Sequence, residues 1–229
     1  GVRLPGVPRP TLTPAVRSGL SIAAAVGIYG VSFGALGVAA GLSVPQTCAL
    51  SLLMFTGGSQ FAFVGVIGGG GSFPAALAAA SLLGLRNGVY AVSLNGMLHP
   101  KPLAKPLYAH LTIDESMATA SAQTQPDEQK RGFFTAGVGV WITWNLFTVV
   151  GALAGTALDP HRFGLDGAAV AAFVGLLWPR LQGRGAWETA AVCAVVTAAL
   201  VPFLPPGLPI VLAGVAAFAL VPLQRRRQP

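Results

Sequence analysis

Arg86 is the residue in this 229-residue chain that most needs a chemical explanation. It stands near the midpoint of an apolar run from Phe73 to Leu98, about 13 residues from either end, or about 19 Å along a helix. That depth is more than a side chain comfortably snorkels. An arginine at the centre of a membrane span costs about 2.5 kcal/mol or more. It therefore calls for a partner or a wet cavity. Two kinds of partner are open. One is a substrate carboxylate, gripped by the planar guanidinium fork. The other is a structural acid, for which Asp114, Glu115 and Asp166 are the candidates.

A second constellation is Phe55-Thr56-Gly57-Gly58-Ser59-Gln60-Phe61, near the middle of another apolar run. Gly57 and Gly58 weaken a helix by roughly 1 kcal/mol each relative to alanine. Ser59 and Gln60 bring a hydroxyl and an amide to the same depth. An unwound helix end there would present N–H groups to a carboxylate, as broken transporter helices do. The bland alternative is a kink held by interhelical hydrogen bonds. Asn87, Tyr90, Ser93 and Asn95 extend the polar chemistry below Arg86, and Tyr90 is one helical turn from it. Trp144 and Asn145 form another polar spot.

These residues need a scaffold that holds them in lipid. Only 9% of residues are charged and 53% are apolar, where a soluble domain has about 25% charged. Mean hydropathy is +0.67. The surplus of 14 basic over 7 acidic residues does not point to nucleic acid. Arg3, Arg9, Arg17, Lys101, Lys105, Lys130, Arg131 and Arg225 to Arg227 all flank apolar runs, as the positive-inside rule expects. Residues 1–18 read as a cytoplasmic N-terminal tail, 19–223 as a single transmembrane domain, and 224–229 as a basic C-terminal tail.

The expected fold is an all-α polytopic membrane bundle of about seven apolar segments. They are Gly19 to Ala40, Gln46 to Ile67, Phe73 to Leu98, Gly132 to Ala157, Gly167 to Trp178, Ala186 to Phe203, and Leu208 to Leu223. Residues 99–131 read as a polar connection. The runs lack the alternation of barrel strands. Gly30-x-x-x-Gly34, Gly37-x-x-x-Gly41 and Gly151-x-x-x-Gly155 suit close helix packing, and Gly30 with Gly34 could instead line a cavity.

Charge parity constrains the topology. All four basic sites share one face only if residues 46–98 cross the membrane an odd number of times. One piece of 46–98 is therefore expected to be re-entrant or broken, with the glycines at 57, 58 and 68–71 permitting the break.

Enzyme signatures are missing: no zinc-binding His-Glu-x-x-His, no phosphate loop, no Gly-x-Ser-x-Gly elbow. No cofactor or metal is expected. Cys48 and Cys193 read as small buried hydrophobes.

The ordered set of motifs resembles the large subunit of AzlC-type branched-chain amino acid exporters over nearly the whole chain. It comprises Phe33-Gly34, Gly41-Leu42-Ser43, the run 55–61, Leu85-Arg86 through Tyr90, Leu111-Thr112-Ile113-Asp114-Glu115-Ser116, and Gly164-Leu165-Asp166 with Phe173. The resemblance implies export of leucine, isoleucine, valine and methionine across the bacterial cytoplasmic membrane. It also implies a small AzlD-type membrane partner and use of the proton gradient. The family usually has Asn and His around the arginine, where this chain has Gly84 and Asn87, so a role resting on that His is not carried over. An amino acid zwitterion is expected to place its carboxylate on Arg86 or the N–H groups near Gly57 to Ser59. Gln60, Asn87 or helix carbonyls would hold its ammonium. Phe33, Gly34, Phe61 and Tyr90 complete the expected site. A passive pore and a noncatalytic scaffold are the competing classes.

Overall fold

The computed structural model describes residues 12–157, 181–205 and 207–225, with 174–175 and 177–178. The described residues are mostly helical, with turns between the helices, and form no strands. α1 (Pro14–Gly27) and α2 (Tyr29–Ala39) continue one another through Ile28. Together with α5 (Phe73–Leu98) and α8 (Pro126–Ala157) they make three helices long and apolar enough to cross a membrane. Between them lie the shorter α3 (Val44–Leu53), α4 (Gly58–Gly68), α6 (Lys105–His110) and α7 (Asp114–Ser121). α9 (Arg184–Leu200) and α10 (Leu208–Arg225) close the chain. Most of the fifth apolar segment lies outside the described residues, as do Asp166, Phe173 and the basic tail beyond Arg225.

Helix ends are set by local chemistry. Thr13, Ser43 and Ser72 cap α1, α3 and α5 with their hydroxyls, and Pro14, Pro45 and Pro74 sit in the first turns, where a missing N–H is harmless. Ser43 and Gln46 form a reciprocal capping box.

Small residues bring α1 and α2 against α8. Gly19 faces Thr135, Gly27 faces Thr143, and Gly34 faces Thr148 and Gly151. Gly155 in turn faces Ala35. The matched order shows the two spans running parallel. α5 runs the opposite way: Gly68, at the end of α4, lies beside Ala40, and α5 starts just after it. α10 runs alongside α5, with Gly207 against Ala75 and Gly214 against Leu82. α9 is antiparallel to α10, since Gln224 bonds the Gly185 carbonyl and Cys193 meets Ala213.

The second apolar segment is a hairpin rather than a span. α3 leaves the bundle end occupied by Ala40, breaks at residues 54–57, and α4 returns to Ala40. Gln60 Nε2 donates to the Ser51 carbonyl across the two arms at 3.2 Å. The tip needs Gly57, whose φ of 61° and ψ of −91° is backbone open to glycine alone.

Residues 99–131 are more than a connection. α6 and α7 form a second hairpin that enters from the opposite bundle end. Tyr108 packs on Phe133 and Phe134 of α8, Leu111 reaches Gly137, and Thr119 returns to Gly132. Ser116 Oγ closes the turn, accepting from Ile113 N–H and donating to the Leu111 carbonyl at 2.7 Å. Leu111, Thr112, Ile113 and Ser116 are buried.

With one hairpin from each end, Arg17, Lys101, Lys105, Lys130, Arg131 and Arg184 gather at one end of the bundle. The turns at 40–43, 69–72 and 201–205 at the other end carry no charge. This is the arrangement that charge parity required. Cysteines introduced at Lys101 and Arg184 should react with an impermeant thiol reagent from one side of the membrane, and cysteines at Ser43 and Ser72 from the other. Labelling of Ser43→Cys and Lys101→Cys from the same side would contradict the double-hairpin topology.

Candidate functional site

Both hairpin tips converge on Arg86, midway along α5. Nη2 of Arg86 donates to the Thr56 carbonyl of the first tip at 3.2 Å. Nη1 pairs with Asp114 Oδ2 of the second tip at 2.8 Å. Neighbouring Asn87 donates through Nδ2 to the Thr112 carbonyl at 3.0 Å. One turn of α5 thus ties two broken helices together. Of the three acids open as structural partners, Asp114 pairs with Arg86, and Asp166 lies outside the described residues. Arg86 and Asp114 keep 26% and 23% of their side-chain surface exposed.

Glycine makes the approach possible. A Cβ on Gly58 would stand 3.3 Å from Arg86 Nη2, and one on Gly84 would stand 3.6 Å from Ser59 Oγ. The first N–H groups of α4, at Gly58 and Ser59, have no intrahelical acceptor and carry the positive end of the helix dipole. At the other tip Asp114 and Glu115 fill the first turn of α7.

Several buried polar atoms around Arg86 have no hydrogen-bond partner among the described residues: Thr56 Oγ1, Ser59 Oγ, Gln60 Oε1, Arg86 Nε and Asn87 Oδ1. Leaving such a group unsatisfied costs about 1–3 kcal/mol each. Four of the five are oxygens able to accept from an ammonium group. Gln60 is fully buried at 0% exposure, yet only its Nε2 is engaged.

A cavity of about 970 Å³ opens beside the tips. Leu50, Met54, Phe55, Phe63 and Phe73 give it apolar walls, and Thr56, Asn87, His110 and Thr112 supply its polar patch. Of the expected site residues Asn87 lines it, whereas Arg86, Gly57, Gly58, Ser59, Gln60, Phe33 and Phe61 do not. Phe33 and Phe61 pack with Trp144 as a buried trio at ring distances of 5.7–6.2 Å. Gly34 is engaged in the α2–α8 contact, where a side chain would meet the Thr148 carbonyl. Tyr90 is half-buried one turn beyond Arg86. The structure therefore brings Arg86, Asn87, Gly57, Gly58, Ser59 and Gln60 into one neighbourhood and leaves Phe33, Gly34 and Phe61 in the packing behind it.

The family model described as AzlC protein matches residues 21–158. The chain belongs to the AzlC family. The match spans α1 through α8 and includes both hairpins and Arg86. As an AzlC protein the chain is a multi-pass membrane protein with a transport role. No curated protein and no solved structure matches it.

Proposed function

We propose that this AzlC protein exports branched-chain amino acids, with methionine as a further substrate, across the bacterial cytoplasmic membrane. The basic bundle end would be cytoplasmic by the positive-inside rule. The observation that carries the reading is the set of unpartnered buried polar atoms around Arg86 at the meeting of two broken helices. Inverted repeats with discontinuous helices at mid-depth are the way many secondary transporters build substrate sites. Here a span followed by a hairpin, α1 to α4, is succeeded by the same arrangement inverted, α5 to α7.

The substrate carboxylate would meet Arg86 and the N–H groups of Gly58 and Ser59. Its ammonium would be held by Gln60 Oε1, Thr56 Oγ1 and Asn87 Oδ1. Its side chain would lie in the apolar cavity, with Phe33 and Phe61 in the packed core outside it, Gly34 securing that core against α8, and Tyr90 below the guanidinium. Methyl contacts alone distinguish substrates by about 1–3 kcal/mol per methylene, so leucine, isoleucine, valine and methionine would share the site. Each hairpin seals one route to it, and opening one while the other stays packed would move the substrate across. Transport would use the proton gradient and a small AzlD-type partner subunit.

Cells loaded with a leucine dipeptide supply the test. Expression of this chain with the small partner should raise leucine efflux several-fold over empty cells, and an uncoupler should abolish the gain. Equal efflux from expressing and empty cells would defeat the export reading.

A further inference from the structure

The cavity beside the hairpin tips is much larger than a branched-chain amino acid. It holds about 970 Å³, at the upper end of the roughly 300–1,000 Å³ of pockets that bury drug-sized ligands, and leucine is far smaller than such a ligand. Its polar groups are gathered at one end. Thr56, Asn87, His110 and Thr112 stand where the two tips meet α5. Thr56 and Asn87 tie this end to the Arg86 site: Arg86 Nη2 donates to the Thr56 carbonyl, and Asn87 is the next residue of α5. Thr56 Oγ1 and Asn87 Oδ1 are also among the unpartnered buried oxygens.

From that end the cavity runs toward the uncharged end of the bundle. On α3 its wall continues from Met54 back to Gln46, eight residues or about 12 Å. On α4 it reaches Ile67, nine residues or about 14 Å beyond Gly58. The wall there is apolar. Ala49, Leu50 and Leu53 of α3 line it, and α4 adds Phe63, whose ring meets that of Phe73 edge-on at 5.6 Å. Gln46 is the polar side chain of this stretch among the described residues, and its amide oxygen already accepts from the Ser43 N–H.

A leucine side chain fills only the start of such a space. Apolar walls left facing a void lose their dispersion contacts, and each further methylene laid against them leaves water. A second peptide group would be desolvated along the same walls without a hydrogen-bond partner, which is unfavourable. We propose that the substrate class of this site extends beyond branched-chain amino acids to single amino acids with long unbranched or aromatic side chains, and excludes dipeptides. The α3–α4 wall from Met54 out to Ile67 is the surface that sets this specificity. The inference rests on the amino acid reading of the Arg86 site.

The test is displacement of radiolabelled leucine from the purified full chain in lipid nanodiscs. The competitors are norvaline, norleucine, α-aminooctanoate, phenylalanine and leucyl-leucine. Affinity should rise along the unbranched series by up to about fourfold per added methylene. Phenylalanine should compete at least as well as unlabelled leucine, and leucyl-leucine should compete poorly. Ala49→Trp sets a bulky ring at an exposed position on the α3 wall, five residues or about 8 Å from Met54. It should leave leucine affinity near that of wild type and remove the gain from norleucine to α-aminooctanoate. Affinity that is flat or falls beyond norleucine, with leucine binding intact, would overturn the proposal, and this wild-type series decides even if the variant does not fold. An equal gain in Ala49→Trp would overturn it too, as would displacement by leucyl-leucine as strong as by α-aminooctanoate. No leucine binding by the wild-type chain would instead sink the site reading beneath it.

Discussion

Replacing Arg86 with lysine should lower leucine affinity by about 10- to 100-fold while leaving the protein folded. Lysine keeps the positive charge that Asp114 needs but loses the planar fork that can hold a carboxylate at two points. A hydrogen bond to a charged group is worth about 1.5–3 kcal/mol, and each 1.4 kcal/mol is tenfold in affinity. Arg86→Ala is a harsher change. It removes the substrate partner and also strands Asp114, and breaking a buried pair in this way costs about 3–5 kcal/mol; the partial exposure of Arg86 and Asp114 places this case at the low end. The double variant Arg86→Ala/Asp114→Ala removes both charges. It should recover the folded yield of wild type without recovering transport. Recovery of transport in the double variant would make the pair purely structural, as would an unchanged affinity in Arg86→Lys. Equilibrium binding and efflux on the same preparations separate these outcomes.

The largest effect on folding should come from Gly151→Leu. Its missing side chain is the space occupied by the Val31 backbone of α2, and Gly34 sits in the matching position against Thr148 and Gly151. Overpacking a core costs about 1–3 kcal/mol when side chains can move aside. Here the obstacle is backbone, which cannot rotate away, so α8 and the α1–α2 span would have to separate. The expected result is loss of monodisperse protein after extraction. Gly96→Leu is the control, because a Cβ there meets nothing within 4 Å, and it should extract as wild type. Normal extraction of Gly151→Leu would mean that α2 and α8 do not make this contact.

Much of this architecture was legible because lipid demands long apolar runs. Phe73 to Leu98 read as one segment and is one helix. The break in the second segment was legible from Gly57 and Gly58, since two adjacent glycines with Ser59 and Gln60 at mid-depth are poor span material. Charge parity then required that the break turn the chain back. The α6–α7 hairpin was not legible, and the reason is length. Helices of 6 and 8 residues with polar outer ends fall below any hydropathy window. The apolar Leu111-Thr112-Ile113 between polar neighbours was the available signal, with Pro100, Pro102 and Pro106 marking a chain that cannot continue α5.

The site divides along the same line. Arg86 announced itself by depth, and Ser59, Gln60 and Asn87 by proximity to it in sequence or in depth. Its partner could not be chosen among three acids, because a 28-residue separation fixes no geometry until the second hairpin is placed. Phe33, Gly34 and Phe61 read as small or aromatic residues suited to a pocket. Packing decided their place: Gly34 lets α2 touch α8, and the two rings pack with Trp144 in the core. Leu50, Met54 and Phe73, which face the open cavity, looked like any other lipid-facing residues in the sequence.

The most direct test of the central claim places a reporter at the first tip. Thr56→Cys, in a chain with Cys48→Ser and Cys193→Ser, puts a single thiol beside Arg86 at the cavity wall. Leucine should slow its reaction with a small thiol reagent in a saturable way. Leucinamide, which lacks the carboxylate, should protect far less. Labelling that leucine leaves unchanged, or that leucine and leucinamide slow equally, would contradict an amino acid carboxylate bound at Arg86 between the two hairpins.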